Sequence, residues 1–368
     1  MTVDTTPDIE SALRHVKSAV RELSAYTLRN HEPRVKLNQN ESPYDVPAEL
    51  KVALWASLAA RTWSRYPPFV ASDFIGAVAE ATSWPEAGIL VGNGSNELIQ
   101  ALLAIVVERG RTVVIPEPTF TLYRLLTGVG GGTVESVALE EDLKFDVDGI
   151  IAAARRTAAS IVVLCTPNNP TGSALSREEI EVLHDGTEAL IVLDQAYVEF
   201  GGYDAIPLLV DRPRVVILRT FSKAMGMAGL RAGYLLGHPD LVREISKAKL
   251  PYNINFVTES IAAEVLRNRG LLQPQIDRIR AERERLFERM AGIEGIRVFA
   301  SAGNFLLFRV EHPGVDHRVV FRRLVEEHGV LVRDVSDYPM LERCLRVSAG
   351  APEENDAFVA GLVAVLSR

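Results

Sequence analysis

Cysteine is scarce. Cys165 and Cys344 are the only two, far apart and outside any metal-ligand spacing, which excludes a disulfide framework and offers no zinc site. Each reads as a small buried hydrophobe. Long apolar runs are missing too: no stretch approaches the roughly 18 consecutive apolar residues needed to span a bilayer. The opening segment MTVDTTPDIESALRH has no basic start followed by an apolar core, so the expected location is the cytoplasm. Nor is there a Lys/Arg cluster. Forty basic against 48 acidic residues leave a net charge of -8, no footprint for nucleic acid or an anionic membrane. Internal repeats and low-complexity tracts are absent. What remains, 368 residues at 47% hydrophobic and 24% charged, suffices for a large core and more than one domain.

From Gly88 to Leu236 short apolar runs alternate with helical stretches: ILVGN, TVVIPEP, TVESVAL, SIVVLCTPNNP, ALIVLDQAY, RVVILRT and GYLLG. That alternation predicts an α/β domain with a mostly parallel, seven-stranded sheet between helices. Nearly every run is apolar on both faces, as a doubly covered sheet requires. GVGGGT, Gly128 to Thr133, predicts a helix-to-strand turn. Beyond Tyr252 the pattern changes to a long charged helix around IRAERERLFERMAGI, then strand-like IRVFA, NFLLFRV, GVLVRD and CLRVSAG. The expectation is a large domain over residues 45–255 and a smaller α+β domain from 1–44 with 256–368.

Residues of chemical interest fall just after the carboxyl ends of the predicted strands: Gly94 and Ser95, Asn169, Asp194 and Lys223. In open α/β sheets that edge binds ligands. Lys223 lies in RTFSKAMGMAGLRAGY and follows the DQAY tetrapeptide, Asp194 to Tyr197. A lysine on a Ser/Gly-rich loop, an acid at a strand end and a nearby tyrosine are what a pyridoxal phosphate (PLP) site requires. The amine forms a Schiff base with the cofactor aldehyde, and the acid keeps the pyridine nitrogen protonated. In GNGSNELIQ a Gly-rich turn opens a helix, so Gly94, Ser95 and Asn96 would set an anion at a helix N-terminus. The plain alternative is an N-cap at Ser95.

Taken in order, LNQNESPY, SRYPP, GNGSNELIQ, TPNNPTG, LDQAYVEF, RTFSKAMGMAGLRAGY, PYNIN and LRVSAGAPEEND resemble the fold-type I PLP enzymes of the class I/II aminotransferase superfamily, and among them the histidinol-phosphate aminotransferases. The resemblance runs from Leu37 to Asp356. It implies that Lys223 carries the cofactor and shuttles a proton, that Asp194 pairs with the ring nitrogen, and that Tyr197 and Asn169 hold the cofactor 3′-oxygen, with Asn169 also near substrate. Gly94, Ser95, Asn96, Ser222 and Arg231 become phosphate ligands, Phe120 stacks on the ring where most relatives carry tyrosine, and Tyr66 reaches the phosphate of a neighbouring subunit in a homodimer. Tyr123 reads as a helix-face residue. Arg346 and Arg333 are the implied grips on an anionic substrate. The implied reaction is transamination between L-histidinol phosphate and 2-oxoglutarate. Rivals on the same scaffold are aromatic amino acid transamination and threonine-phosphate decarboxylation; a regulatory PLP-sensing domain would need a fused DNA-binding helix-turn-helix. Departures from the family pattern are Gln195, Asn96, Ser42 and MGMAG. The arm LSAYTLRNHEPRVKL also lacks a P-Y-x-P-G string, leaving Tyr26 as its candidate substrate contact.

Overall fold

The computed structural model describes residues 9–23 and 32–367. All seven predicted runs of the large sheet are strands: β1 (Ile89–Gly92), β2 (Thr112–Glu117), β3 (Thr133–Ala138), β4 (Ile161–Cys165), β5 (Leu190–Asp194), β6 (Val215–Thr220) and β7 (Gly233–Leu236). Their spatial order is β1-β7-β6-β5-β4-β2-β3. β7 runs antiparallel to both neighbours and the other pairs are parallel. β4 and β6 are buried along their whole length, because helices cover both faces and leave no side for polar alternation. β3 departs from that rule. Thr133, Glu135 and Ser136 interrupt it, it hydrogen-bonds only to β2, and none of its residues is buried. The predicted turn before it holds: the helix Leu122–Gly130 ends on Gly131 at φ +85°, a left-handed conformation that suits glycine.

A second, antiparallel sheet has the order β10-β11-β9-β8, from β8 (Ile296–Phe299), β9 (Phe305–Val310), β10 (Arg333–Asp334) and β11 (Cys344–Ser348). It packs against the helices Gln273–Ala291 and Pro352–Leu366, burying Leu286, Met290, Phe308 and Phe358. Two packing contacts cross the expected domain limits. The helix Phe256–Arg267, assigned to the small domain by sequence, buries Ala262, Ala263, Val265 and Leu266 in one core with Phe74, Ala77 and Val78 of the helix Ser72–Thr82. The same core also takes Phe299, Leu307 and Cys344 of the small sheet. In the N-terminal segment, Val35–Lys36 pairs with Val330–Leu331 of the small unit, whereas Lys17 donates to the Val129 carbonyl at 3.1 Å, on the large unit. Among the described residues no helix is long and apolar enough to cross a membrane.

Candidate active site

The carboxyl ends of β1, β2, β4, β5 and β6 open onto a cavity of about 360 Å³, closed on the far side by the small sheet and by residues 38–41. Asp194 is the last residue of β5 and only 3% exposed. Its Oδ2 accepts a 2.6 Å hydrogen bond from the Tyr123 hydroxyl and its Oδ1 a 3.2 Å bond from the Ala196 amide. Burial raises its pKa, and the Tyr123 and Ala196 bonds oppose that rise.

Lys223 follows β6. Its Nζ donates to the Gln39 carbonyl at 2.7 Å and lies 5.7 Å from the centre of the Tyr197 ring. Burial depresses its pKa to about 7, and the positive charges of Arg346, Arg231 and Lys36 push the same way against Glu41. A lysine is thereby available as free amine near neutrality. The Tyr197 hydroxyl accepts from Asn40 Nδ2 at 3.1 Å. Because that bond fills an acceptor site on the phenol, its own proton is left to donate elsewhere. Burial also pushes the Tyr197 pKa up, so the phenol stays protonated.

At the β1 end, the helix Ser95–Val106 begins after Gly94, which holds φ +81° and makes no side-chain cap. The N-cap is thus Gly94 and not Ser95, and no side chain closes off the first-turn amides. Ser95 and Asn96 line the cavity. Arg231 reaches the same corner and donates through Nη1 to Ser222 Oγ at 2.9 Å and to the Ala228 carbonyl at 3.1 Å. A Cβ on Gly94 would stand 2.5 Å from Arg231 Nη2.

Opposite, Arg346 on β11 and Arg333 on β10 are direct cross-strand partners and both line the cavity. Arg346 donates to Asn169 Oδ1 and, at 2.7 Å, to the Asn38 carbonyl; it also lies 5.4 Å from the Phe305 ring centre.

The cavity therefore gathers Ser95, Asn96, Phe120, Asn169, Asp194, Tyr197, Ser222, Lys223, Arg231, Arg333 and Arg346, with Gly94 under Arg231. Tyr66 is not among them. It is 81% exposed, with its ring stacked on Tyr252 at 4.7 Å, which excludes a core tyrosine. Tyr26 lies outside the described residues. Sequence reasoning missed Tyr123, whose ring is wholly buried and whose hydroxyl reaches the acid. It also assigned no role to Asn38, Gln39 and Asn40, each bonded to a different site residue. Both cysteines are buried, and Cys165 lies in the cavity wall.

The family model for aminotransferase class I and II matches residues 32–362. The histidinol-phosphate aminotransferase of Chlorobaculum parvum is 40% identical over 340 residues, 92% of this chain and 94% of that protein. The enzyme of the same name from Chlorobium luteolum is 39% identical over 95% of this chain and 97% of its own length. The crystal structure of histidinol-phosphate aminotransferase from Sinorhizobium meliloti in complex with pyridoxal-5′-phosphate superimposes with a TM-score of 0.87 at 27% identity, over 97% of this chain and 99% of that one. With the family model covering most of its length and full-length relatives at this identity, the chain belongs to the class I and II aminotransferases.

Proposed function

We propose that this chain is a PLP-dependent transaminase that moves an amino group between L-histidinol phosphate and 2-oxoglutarate, forming imidazole-acetol phosphate and glutamate in histidine biosynthesis. The observation that carries the reading is the Arg333–Arg346 pair on the cavity wall facing Lys223. Like charges directly opposite on one sheet face repel. A phosphate or carboxylate between them would turn that repulsion into two charge-assisted bonds.

The residues present fit PLP. Uncapped amides at the Ser95 helix, the Ser222 hydroxyl and the Arg231 fork make a donor set suited to a phosphate, and the missing side chain at Gly94 leaves that corner open. Asp194 would meet the ring nitrogen, Phe120 one ring face, and Tyr197 with Asn169 the phenolic oxygen. When bound, PLP supplies an aldehyde that exchanges amines and a ring that accepts the electrons released at the substrate carbon. Lys223 moves the proton: with a pKa near 7 its Nζ takes a proton from the substrate carbon and returns it elsewhere, at a pH where both of its forms are populated. Arg346, held by Asn169 and the Asn38 carbonyl, fixes the anionic end of either substrate, so one site serves both half-reactions.

We further infer a homodimer with a shared site. Tyr66, Phe69 and Tyr252 form an exposed aromatic cluster, with Phe69 edge-on to Tyr252 at 5.5 Å, and Trp63, Val70 and Leu250 are exposed as well. Apolar surface of that kind favours a protein partner, and a second copy would receive Tyr66 at its phosphate corner. A cytoplasmic location accompanies this biosynthetic role.

The test is stopped-flow absorbance of the holoenzyme mixed separately with histidinol phosphate, phenylalanine and threonine phosphate. Fast conversion to the amino form of the cofactor with histidinol phosphate alone is expected. Preference for phenylalanine, or release of CO2 from threonine phosphate, would refute the substrate while leaving the Lys223 chemistry in place.

A further inference from the structure

We propose that Tyr123 is a positioning residue for the reaction: its buried hydroxyl holds Asp194 as a carboxylate and aims it at the cofactor ring nitrogen. The inference rests on the reading of Asp194 as the ring's acid and adds a group that this reading leaves out.

The geometry leaves Tyr123 no solvent-facing role. Its ring is 0% exposed and its hydroxyl lies 2.6 Å from Asp194 Oδ2. A buried phenol must place its proton, and the carboxylate is its hydrogen-bond acceptor here. Asp194 in turn has Tyr123 on one oxygen and the Ala196 amide on the other. Two donors on two oxygens lock rotation of the carboxylate, and each oxygen keeps a lone pair for the cavity that Asp194 lines. Tyr123 is anchored independently. It sits in the first turn of the helix Leu122–Gly130, its carbonyl accepts from Thr127 Oγ1 at 2.8 Å, and Phe120 packs edge-on against its ring at 5.7 Å. Phe120 and Tyr123 are three residues apart, so one short segment supplies both the residue placed to cover the ring face and the one that sets its acid.

The electrostatics agree with that geometry. Burial favours the neutral acid, which cannot pair with a protonated ring nitrogen, and the hydrogen bond from Tyr123 favours the ionised form. The other titratable groups facing Asp194 are Lys223, whose positive charge also favours the carboxylate, and Tyr197 and Cys165, both kept protonated by burial. Removing the Tyr123 hydroxyl leaves the burial and deletes one of the two donors. The Asp194 pKa must then rise, and the ring nitrogen loses its proton more readily.

The experiment compares holoenzymes of wild type, Tyr123→Phe, Asp194→Asn and the double variant, each reconstituted with ring-15N PLP. Tyr123→Phe is expected to move the nitrogen resonance toward the unprotonated ring, shift the acid limb of the kcat profile upward by about one pH unit, and lower kcat about tenfold or more. In the Asp194→Asn background the same change should add nothing to the resonance shift. A 3,5-difluorotyrosine at position 123, a stronger donor, should move the acid limb the opposite way. A purely structural tyrosine would lower the melting temperature of the apoprotein with resonance and pH profile unchanged, and that result overturns the proposal. If Asp194→Asn shifts the resonance and Tyr123→Phe does not, only the role of Tyr123 fails; if neither shifts it, the assignment of Asp194 falls with it.

Discussion

Gly94→Ala tests the phosphate corner most directly, because it adds one methyl group where the backbone and the neighbouring arginine both resist it. Gly94 holds φ +81° and ψ 166°, backbone that essentially only glycine adopts, and an alanine held there costs about 1–3 kcal/mol. The new Cβ would also stand 2.5 Å from Arg231 Nη2. Arg231 is the end of a flexible side chain, so in the apoprotein it can swing away and only the backbone cost remains. With cofactor bound it cannot. The displaced arginine would give up its bond to Ser222 Oγ and its charge at the phosphate, and one hydrogen bond to a charged group is worth about 1.5–3 kcal/mol. The expectation is thus a loss of about 1–3 kcal/mol in urea unfolding of the apoprotein, together with a separate loss of about 10- to 100-fold in PLP affinity. Gly229→Ala is the control: a Cβ there meets nothing within 4 Å, so affinity should stay at the wild-type value. Equilibrium dialysis of PLP against the three apoproteins reads the difference. Wild-type affinity in Gly94→Ala would refute the placement of the phosphate at this corner.

Four other expectations follow from the same geometry. Lys223→Ala should abolish borohydride fixation of the cofactor, read as loss of the mass increment on the peptide spanning residues 219–231. Because Lys223 has a folded pKa near 7 against 10.5 for the free side chain, the unfolded chain binds more protons between those values, so the apoprotein should gain stability as pH rises through that window; urea midpoints of wild type and Lys223→Met across it should diverge in slope, and parallel curves would contradict the depressed pKa. Arg346→Ala should lower kcat/KM for histidinol phosphate about 10- to 100-fold, and since one site serves both substrates, glutamate should suffer alike; a defect confined to one of them would separate the two sites. Finally, if Tyr66 serves the partner's site, mixing Tyr66→Ala with Lys223→Ala subunits should restore one competent site per mixed dimer, and activity that stays at the sum of the parents would exclude sharing.

Most of the large domain could be read from sequence because a doubly covered parallel sheet makes its strands short, apolar and separated by helices, a pattern few other folds produce. The edge strand β3 is an exception to that pattern, and Glu135 and Ser136 announce its half-solvated face. Periodicity reports that Phe256–Arg267 is a helix with a buried stripe and says nothing about which core receives the stripe, here one that includes Phe74, Ala77 and Val78. Tyr66 shows the same gap: SRYPP marks a distinctive tyrosine, but only the folded chain reveals that its ring lies on the surface.

Within the site, residues that carry distinctive chemistry or sit in a distinctive motif were legible, and residues that act through an ordinary hydrogen bond to a distant partner were not. Lys223 and Asp194 are charged groups beside apolar strands, an expensive arrangement without a functional reason, whereas Arg231 and Arg346 were implied by the motifs around them. Tyr123 and Asn40 act through ordinary hydrogen bonds to Asp194 and Tyr197, 71 and 157 positions away in the chain. No local spacing encodes such a partner. The limit is sharper still at Asn38 and Gln39, whose backbone carbonyls hold Arg346 and Lys223. A carbonyl is supplied by any amino acid, so the identity of the side chain carries no trace of the contact. What the sequence transmits there is the path of the segment, set by Val35–Lys36 pairing with Val330–Leu331 and by Asn40, at φ +53°, bonded to Ser348, Tyr197 and Asn304. Lys223 is thus oriented by residues that are chosen for where they put the backbone, and Asn40 is the position through which that choice can be tested by substitution.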